Sequence, residues 1–336
     1  MVYIRYVLHG IHTRIYGSGI MKVSNLLDEY YLSFEYNNLR EETKVQYKYF
    51  LGIVCSTSVV DGKSLGTYKL SNLTTKLAKL AYNKWCERGV SLANHLMSVI
   101  RVLLNYGINM EHCTMNPFSN IKKRVVAHRK VVWTKDDVIR FLDIAYSDFK
   151  TRSLGLIAQM AYEWCQRIGD MRLLEWSNLD LDEQRMQIEQ SKRRAEVFLP
   201  ISDELNEMLL QQKNDYGFQK YVAPRPRPFK GSYKPYSLTK LPILARKVMT
   251  SAGLSNELRL SDLRRTGTVE MVDAGVSMGN IMSVTGHANP QSVKPYMKNT
   301  FASANLALQT RRGLTESESH DKSILNADKK DVIYNI

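Results

Sequence analysis

The chain has 336 residues, 44% of them hydrophobic, which suits two packed domains and excludes global disorder. A formal net charge of +14 at pH 7 points to a polyanionic partner, nucleic acid before an acidic membrane surface. No apolar run reaches the ~18 residues that a membrane span needs, and the scattered Cys55, Cys86, Cys113 and Cys165 form no C-x-x-C pair. Disulfide scaffolds and zinc sites are therefore set aside, and a reducing cytoplasm is the expected setting.

Residues 1–20 read as a short strand-like extension whose arginines and histidines break up any signal-peptide character, and Met21 would serve equally as a start. Residues 21–125 read as a helical domain. "VSNLLDEYYLSF" places Leu26, Leu27, Tyr30, Tyr31 and Phe34 at helical spacing, and "ETKVQYKYFLGIV" continues with Val45, Tyr49 and Phe50. "SLANHLMSVIRVLLNYGI" puts Leu92, Leu96, Val99, Ile100, Leu103 and Leu104 on one face, with Ser91 as its expected cap and Gly107 as its stop. His112 beside Cys113 has no second pair to complete a metal site. Asn116-Pro117 ends the helical run. The basic stretch "IKKRVVAHRKVV" lacks a helical stripe, and residues 126–132 are assigned as a linker.

A second domain is expected over 133–313, opening where Thr134 caps a helix whose first turn is acidic. "LIAQMAYEWCQRIGDM" buries one helical face yet holds Arg167, with Asp170 three positions on; a structural ion pair across one turn would explain both. In "RMQIEQSKRRAEVFLPI" the apolar residues alternate, Met186 with Ile188 and then Val197, Leu199 and Ile201, which predicts a hairpin with Lys192, Arg193 and Arg194 at its tip. "RPRPFKGSYKPYS" is a basic, proline-rich loop. In "LRLSDLRRTGTVEMVDAG", Ser261 and Asp262 resemble a cap and Gly275 a stop. Arg264 and Arg265 then fall in the first helical turn, where the dipole favours an anion over a cation. Near the end come Thr285, Gly286 and His287, then Tyr296. Residues 314–336 form a polar tail. Residues 21–131 carry 16 basic and 8 acidic side chains and residues 132–313 carry 26 and 20, so both domains are expected to grip the same polyanion.

The order of these boxes resembles the tyrosine recombinase (phage integrase) family over residues 22–313. "QRIGDMRLLEWSNLDLD" is similar to the box around its first arginine, "IEQSKRRAEVFLP" to its lysine hairpin, "LSDLRRTG" to its His-x-x-Arg box, and "TGHANPQSVKPYM" to its Gly-His box and nucleophile. The first domain resembles the family's helical core-binding domain. The resemblance implies a mainly α fold with a small β-sheet or hairpin (α+β), a helical core-binding, SAM-like DNA-binding domain followed by a tyrosine-recombinase catalytic domain. It implies Tyr296 as nucleophile, Arg167 and Arg264 as a phosphate clamp, Lys192 as general acid, His287 as the second histidine, and Asp170 as a buttress to Arg167. Two positions depart from the pattern. Ser261 stands where the family has histidine, so it acts as a phosphate contact or only as a helix cap. The glycine usual just before the first arginine is missing from "WCQR", which implies a tighter turn.

On this resemblance the chain is expected to be an integrase that cleaves and rejoins DNA through a 3′-phosphotyrosine and integrates or excises a phage or mobile element. A free phenol has a pKa of about 10, so it must shed a proton as it attacks, while two arginines offset the charge on the phosphoryl oxygens and a lysine protonates the leaving 5′-oxygen. No metal or other cofactor is implied. The implied partners are double-stranded DNA at attachment sites, three further copies in a homotetramer, and accessory directionality or DNA-bending proteins, with no membrane, in the cytoplasm of a prokaryotic host. Lys122, Lys123, Arg124, Arg129, Lys130, Arg193, Arg194 and Arg265 are expected to face DNA. Two other readings share the boxes: a type IB topoisomerase-like nicking-closing enzyme, and a catalytically inactive DNA-binding relative.

Overall fold

The computed structural model describes residues 21–60, 62–127, 129–192, 194–296, 304–305 and 307–313, and the expectations placed on residues 1–20, on Arg193 and on the tail lie outside them. The chain divides into two compact units, residues 1–129 and 130–336. It is mainly helical with small antiparallel sheets.

The first unit is built on α1 (Val23–Leu32), α2 (Phe34–Asn37), α3 (Glu41–Ser56), α4 (Thr75–Glu87) and α5 (Val90–Asn109). A short hairpin, β1 (Ser58–Val60) with β2 (Lys63–Ser64), follows α3. The core gathers Leu26, Leu51, Leu96, Ile100 and Leu103 around Trp85, whose ring stacks on Phe118 at 5.9 Å. Some of the expected stripe faces out instead: Phe34, Val45 and Tyr49 are exposed, and α3 buries Leu51 and Val54. Two expected helix ends also differ. Gly89, not Ser91, caps α5, and Gly107 lies inside the helix, where a Cβ would come within 2.9 Å of the Leu26 side chain. That glycine marks close packing between α1 and α5 rather than a stop. His112 Nε2 contacts both carboxylate oxygens of the buried Glu29, at 3.0 and 2.9 Å, and the Tyr106 hydroxyl donates to the same group.

The second unit opens with α6 (Lys135–Tyr146), where Thr134 and Asp137 form a reciprocal cap. Helix α7 (Phe149–Glu163) runs through the core and buries Leu154, Leu156, Ile157, Met160 and Ala161. After the four-residue α8 (Ile168–Met171) comes an antiparallel sheet in the order β3 (Leu179–Asp180), β4 (Arg185–Glu189), β5 (Glu196–Pro200). Met186 pairs with Leu199 and Ile188 with Val197, all facing inward, while Gln187 and Phe198 face out, as alternation predicts. Helices α9 (Asp203–Tyr216), α10 (Leu241–Ser251), α11 (Leu263–Asp273) and α12 (Met278–Thr285) complete the unit. All four cysteines are free. Among the described residues no helix is long and apolar enough to cross a membrane.

A candidate catalytic cradle

Past the end of α7 the chain reverses through Cys165, a buried residue in the left-handed region at φ 51°. This is the tight turn implied by the missing glycine, and a side chain there carries a backbone cost of about 1–2 kcal/mol. The turn delivers Arg167 in extended conformation to the start of α8. Its Nη1 donates to Gln190 Oε1 at 2.8 Å and stands 3.7 Å from Asp170 Oδ2. The expected pair with Asp170 is therefore a charge contact, longer than a hydrogen bond. Asp170 makes its closest bond elsewhere: Oδ1 accepts from the hydroxyl of Ser191 and, at 3.3 Å, from its backbone N–H. One buried carboxylate thus sits beside Arg167 and pins the residue next to Lys192, which is exposed at the hairpin turn.

Arg264 enters from the first turn of α11 and is 8% exposed. Its Nη2 donates to the Thr285 carbonyl at 2.9 Å and to His287 Nε2 at 3.2 Å, while its buried Nη1 has no hydrogen-bond partner. Burial and the nearby Arg167 charge pull its pKa down from 12.5 to about 10, with Tyr296 acting in the opposite sense. Because a guanidinium can only donate, His287 must accept at Nε2. Its Nδ1–H then donates to Thr285 Oγ1 at 2.7 Å, and that hydroxyl donates in turn to the Ile281 carbonyl at 2.7 Å. The network holds His287 as a neutral ring braced against Arg264. Tyr296 lies in a single 3-10 turn, Lys294–Tyr296, half-buried, with its ring 6.0 Å from that of His287 and 5.0 Å from the Arg265 guanidinium.

Arg167, Asp170, Lys192, Ser261 and Arg264 line one cavity of about 500 Å³. Ser261 does not cap α11. The capping position belongs to Asp262, whose Oδ2 accepts from Arg259 N at 2.9 Å, and Ser261 is exposed on the cavity wall. The residues expected to face DNA are dispersed. Lys122, Lys123 and Arg124 follow α5 in irregular chain, where Lys123 Nζ donates to Ser98 and Arg124 to Asn83. Arg129 ends the first unit and Lys130 opens the second. Arg194 is exposed and pairs with Glu189 at 3.4 Å. Arg265 lies against Tyr296.

Sequence reasoning passed over Gln190 and Gln166. The fully buried Gln190 amide accepts from Arg167 and donates to Gln166 Oε1 at 2.6 Å and to the Thr285 carbonyl at 2.9 Å. Gln166 Nε2 in turn donates to the carbonyls of Trp164 and Val284. These two amides tie together the α8 turn, the hairpin and the end of α12. The signal was present, since Gln190 continues the inward series Met186, Ile188.

The model of the phage integrase family matches residues 132–303. No curated protein sequence matches the chain. Solved structures with a similar fold include a lambda integrase dimer bound to a COC′ core site, with a TM-score of 0.68 and 19% identity over 86% of this chain and 81% of that one. A lambda integrase tetramer bound to a Holliday junction gives 0.68 and 18%, with the same coverage. The Tn1549 transposon integrase in complex with transposon right end DNA gives 0.67 and 14% over 86% of this chain and 99% of that one.

Proposed function

The chain belongs to the phage integrase family, and from that premise we propose that it is a site-specific DNA recombinase working through a 3′-phosphotyrosine link. The observation that carries the reading is the gathering of Arg167, Lys192 and Arg264 on one cavity, with Tyr296 beside the histidine that braces Arg264. A phosphodiester held by the two guanidiniums gives the unpartnered Nη1 of Arg264 its acceptor. The Tyr296 oxygen attacks phosphorus and loses its proton to solvent. Lys192 protonates the departing 5′-oxygen, so the leaving group is an alcohol rather than an alkoxide. The arginines counter the charge that accumulates on the phosphoryl oxygens.

A 5′-hydroxyl from another strand reverses the step, and the ester link conserves the bond energy, so no nucleotide is consumed. Asp170 holds Arg167 and the Lys192 turn in place. Ser261, on the cavity wall, is a hydrogen-bond donor for a phosphate oxygen. Lys122, Lys123, Arg124, Arg129, Lys130, Arg193 and Arg194 supply backbone contacts that position the duplex.

Each site cuts one strand, and exchange between two duplexes needs four cuts, so the working unit is a homotetramer on synapsed DNA. The lambda integrase tetramer on a Holliday junction has this stoichiometry. The protein acts at the nucleoid of a prokaryotic host. Its substrates are the attachment sites of a phage or mobile element, joined with the help of directionality or DNA-bending proteins. The inactive reading is not favoured, because the groups needed for cleavage are present, and the nicking-closing one is not favoured because the family matched is that of the phage integrases.

The test is covalent trapping. The protein is incubated with fragments of the DNA flanking its gene, stopped with SDS, and the attached ends are sequenced. Adducts at one recurrent site, absent with Tyr296→Phe, are expected. A wild-type protein that traps no fragment would refute the proposal.

A further inference from the structure

Arg265 follows the second clamp arginine, and its place in the structure points beyond a backbone contact. It stands in the first turn of α11, half-buried, with its guanidinium carbon 5.0 Å from the centroid of the Tyr296 ring. That is within reach of a cation–π contact. Among the described residues no carboxylate pairs with it. The two clamp arginines are oriented by other groups: Arg264 by Thr285 and His287, Arg167 by Gln190. Ser261 has no charge with which to assist a phenol. Tyr296 is carried by a three-residue turn, held at its backbone by the bond from its N–H to the Val293 carbonyl at 2.9 Å.

We propose that Arg265 is a positioning residue for the nucleophile, an inference that rests on the function proposed above. Its guanidinium holds the Tyr296 ring at one angle to the cavity and steadies the negative charge that builds on the phenol as its oxygen bonds to phosphorus. In that step the bond from phosphorus to the 5′-oxygen breaks, the phenol proton goes to water, and Lys192 delivers a proton to the leaving oxygen. Arg265 takes and gives no proton. It acts through Tyr296, which distinguishes it from the two clamp arginines.

The experiment uses the full chain and a nicked suicide duplex made from a fragment that the wild type traps. Single-turnover adduct formation at saturating duplex is measured for Arg265→Gln, Arg265→Ala and Arg265→Lys, alongside duplex affinity at several salt concentrations. The expected result is a fall of about tenfold or more in the Gln and Ala variants, with affinity, salt slope and melting temperature near wild type. Lysine, which can also lie over a ring, is expected to restore much of the rate. A Gln variant that cleaves at the wild-type rate overturns the inference, as does one that cleaves faster, which would make the stacked ring a restraint. Weakened affinity with a salt slope lower by about one unit and an unchanged saturating rate also overturns it, and assigns Arg265 to a phosphate. A wild type that forms no adduct sinks the proposed function itself; a wild-type adduct with indifferent variants sinks only this inference.

Discussion

Arg264→Met is expected to leave the DNA-free protein about as stable as wild type, and inactive. The guanidinium is 8% exposed, lies near Arg167 and leaves Nη1 without a partner. Its fall from 12.5 to about 10 corresponds to about 3 kcal/mol against the charged form, at roughly 1.4 kcal/mol per unit. Methionine is long and apolar enough to fill most of the same space. It forfeits two hydrogen bonds from a charged donor, to the Thr285 carbonyl, which keeps Gln190 as donor, and to His287, each worth about 1.5 kcal/mol. The gain and the loss nearly cancel, so the melting temperature should stay within roughly 2–4 °C of wild type for a unit of this size. The folded-state pKa lies below the unfolded one, so the unfolded chain binds the proton more readily. The cost is therefore in full force below pH 10 and fades as pH climbs from about 10 toward 12.5, so the gap between variant and wild type should be flat through neutral pH. Calorimetric melting at pH 7 without DNA measures it. Added duplex should raise the wild-type midpoint more than the variant's, which keeps the other basic contacts but lacks one arm of the clamp. A variant that melts several degrees below wild type would refute the argument and make Arg264 a net structural brace.

Gly286→Ala places a Cβ within 2.5–2.9 Å of the Gln190 amide at a position with φ 67°. Left-handed strain of about 1–2 kcal/mol adds to lost Gln190 bonds, so a loss of about 3 kcal/mol in denaturant unfolding is expected, together with slower adduct formation. Gly267→Ala sets a methyl 2.5 Å from the Tyr162 carbonyl and 2.7 Å from Cys165 Sγ. It should cost about 1–3 kcal/mol and lower cleavage by shifting the helix that carries Arg264 and Arg265, both read from melting and single-turnover assays. Cleavage in EDTA should match that in magnesium, because the clamp charge is guanidinium. Duplex affinity should fall about a thousandfold between 50 and 200 mM salt if roughly six phosphates are engaged.

Much of this arrangement was legible in the residues. Alternation through Met186, Ile188, Val197 and Leu199 gave the hairpin, and Thr134 with its acidic first turn gave the start of α6. These are local signals, set by the pleat of a strand and the orphan N–H groups of a helix end. What was not legible depends on partners distant in sequence. Gly107 reads as a stop until Leu26 is packed against it, and Val45 and Tyr49 have helical spacing on a face that the fold leaves uncovered. Ser261 and Asp262 read together as a cap, and only the fold shows that Asp262 is the one at that position. The tautomer of His287 requires Arg264, 23 residues away in sequence, to come within 3.2 Å. Gln190 could be assigned to the buried face by its period, but not to Arg167.

The choice of partners around the clamp follows from what the clamp must do. A guanidinium needs neighbours to hold its angle, and a carboxylate would hold it best while cancelling the charge that a phosphate requires. Here the orienting groups are an amide oxygen for Arg167 and a backbone carbonyl with a neutral imidazole for Arg264. Asp170 stands at 3.7 Å from Arg167 and spends its hydrogen bonds on Ser191. The angles are thus set by dipoles, and the Asp170 carboxylate, 3.7 Å from Arg167, offsets only one of the two guanidinium charges, so the clamp stays net positive toward the cavity. Gln190→Glu bears on both functions, because it keeps the acceptor for Arg167 while adding a negative charge and removing the donor to Gln166 Oε1 and the Thr285 carbonyl. If orientation alone mattered, the variant would retain most of its cleavage rate. If uncancelled charge is what the cradle supplies, the rate should fall about a hundredfold, as when one preorganised donor is removed, and a variant near wild-type rate would show that reasoning to be wrong.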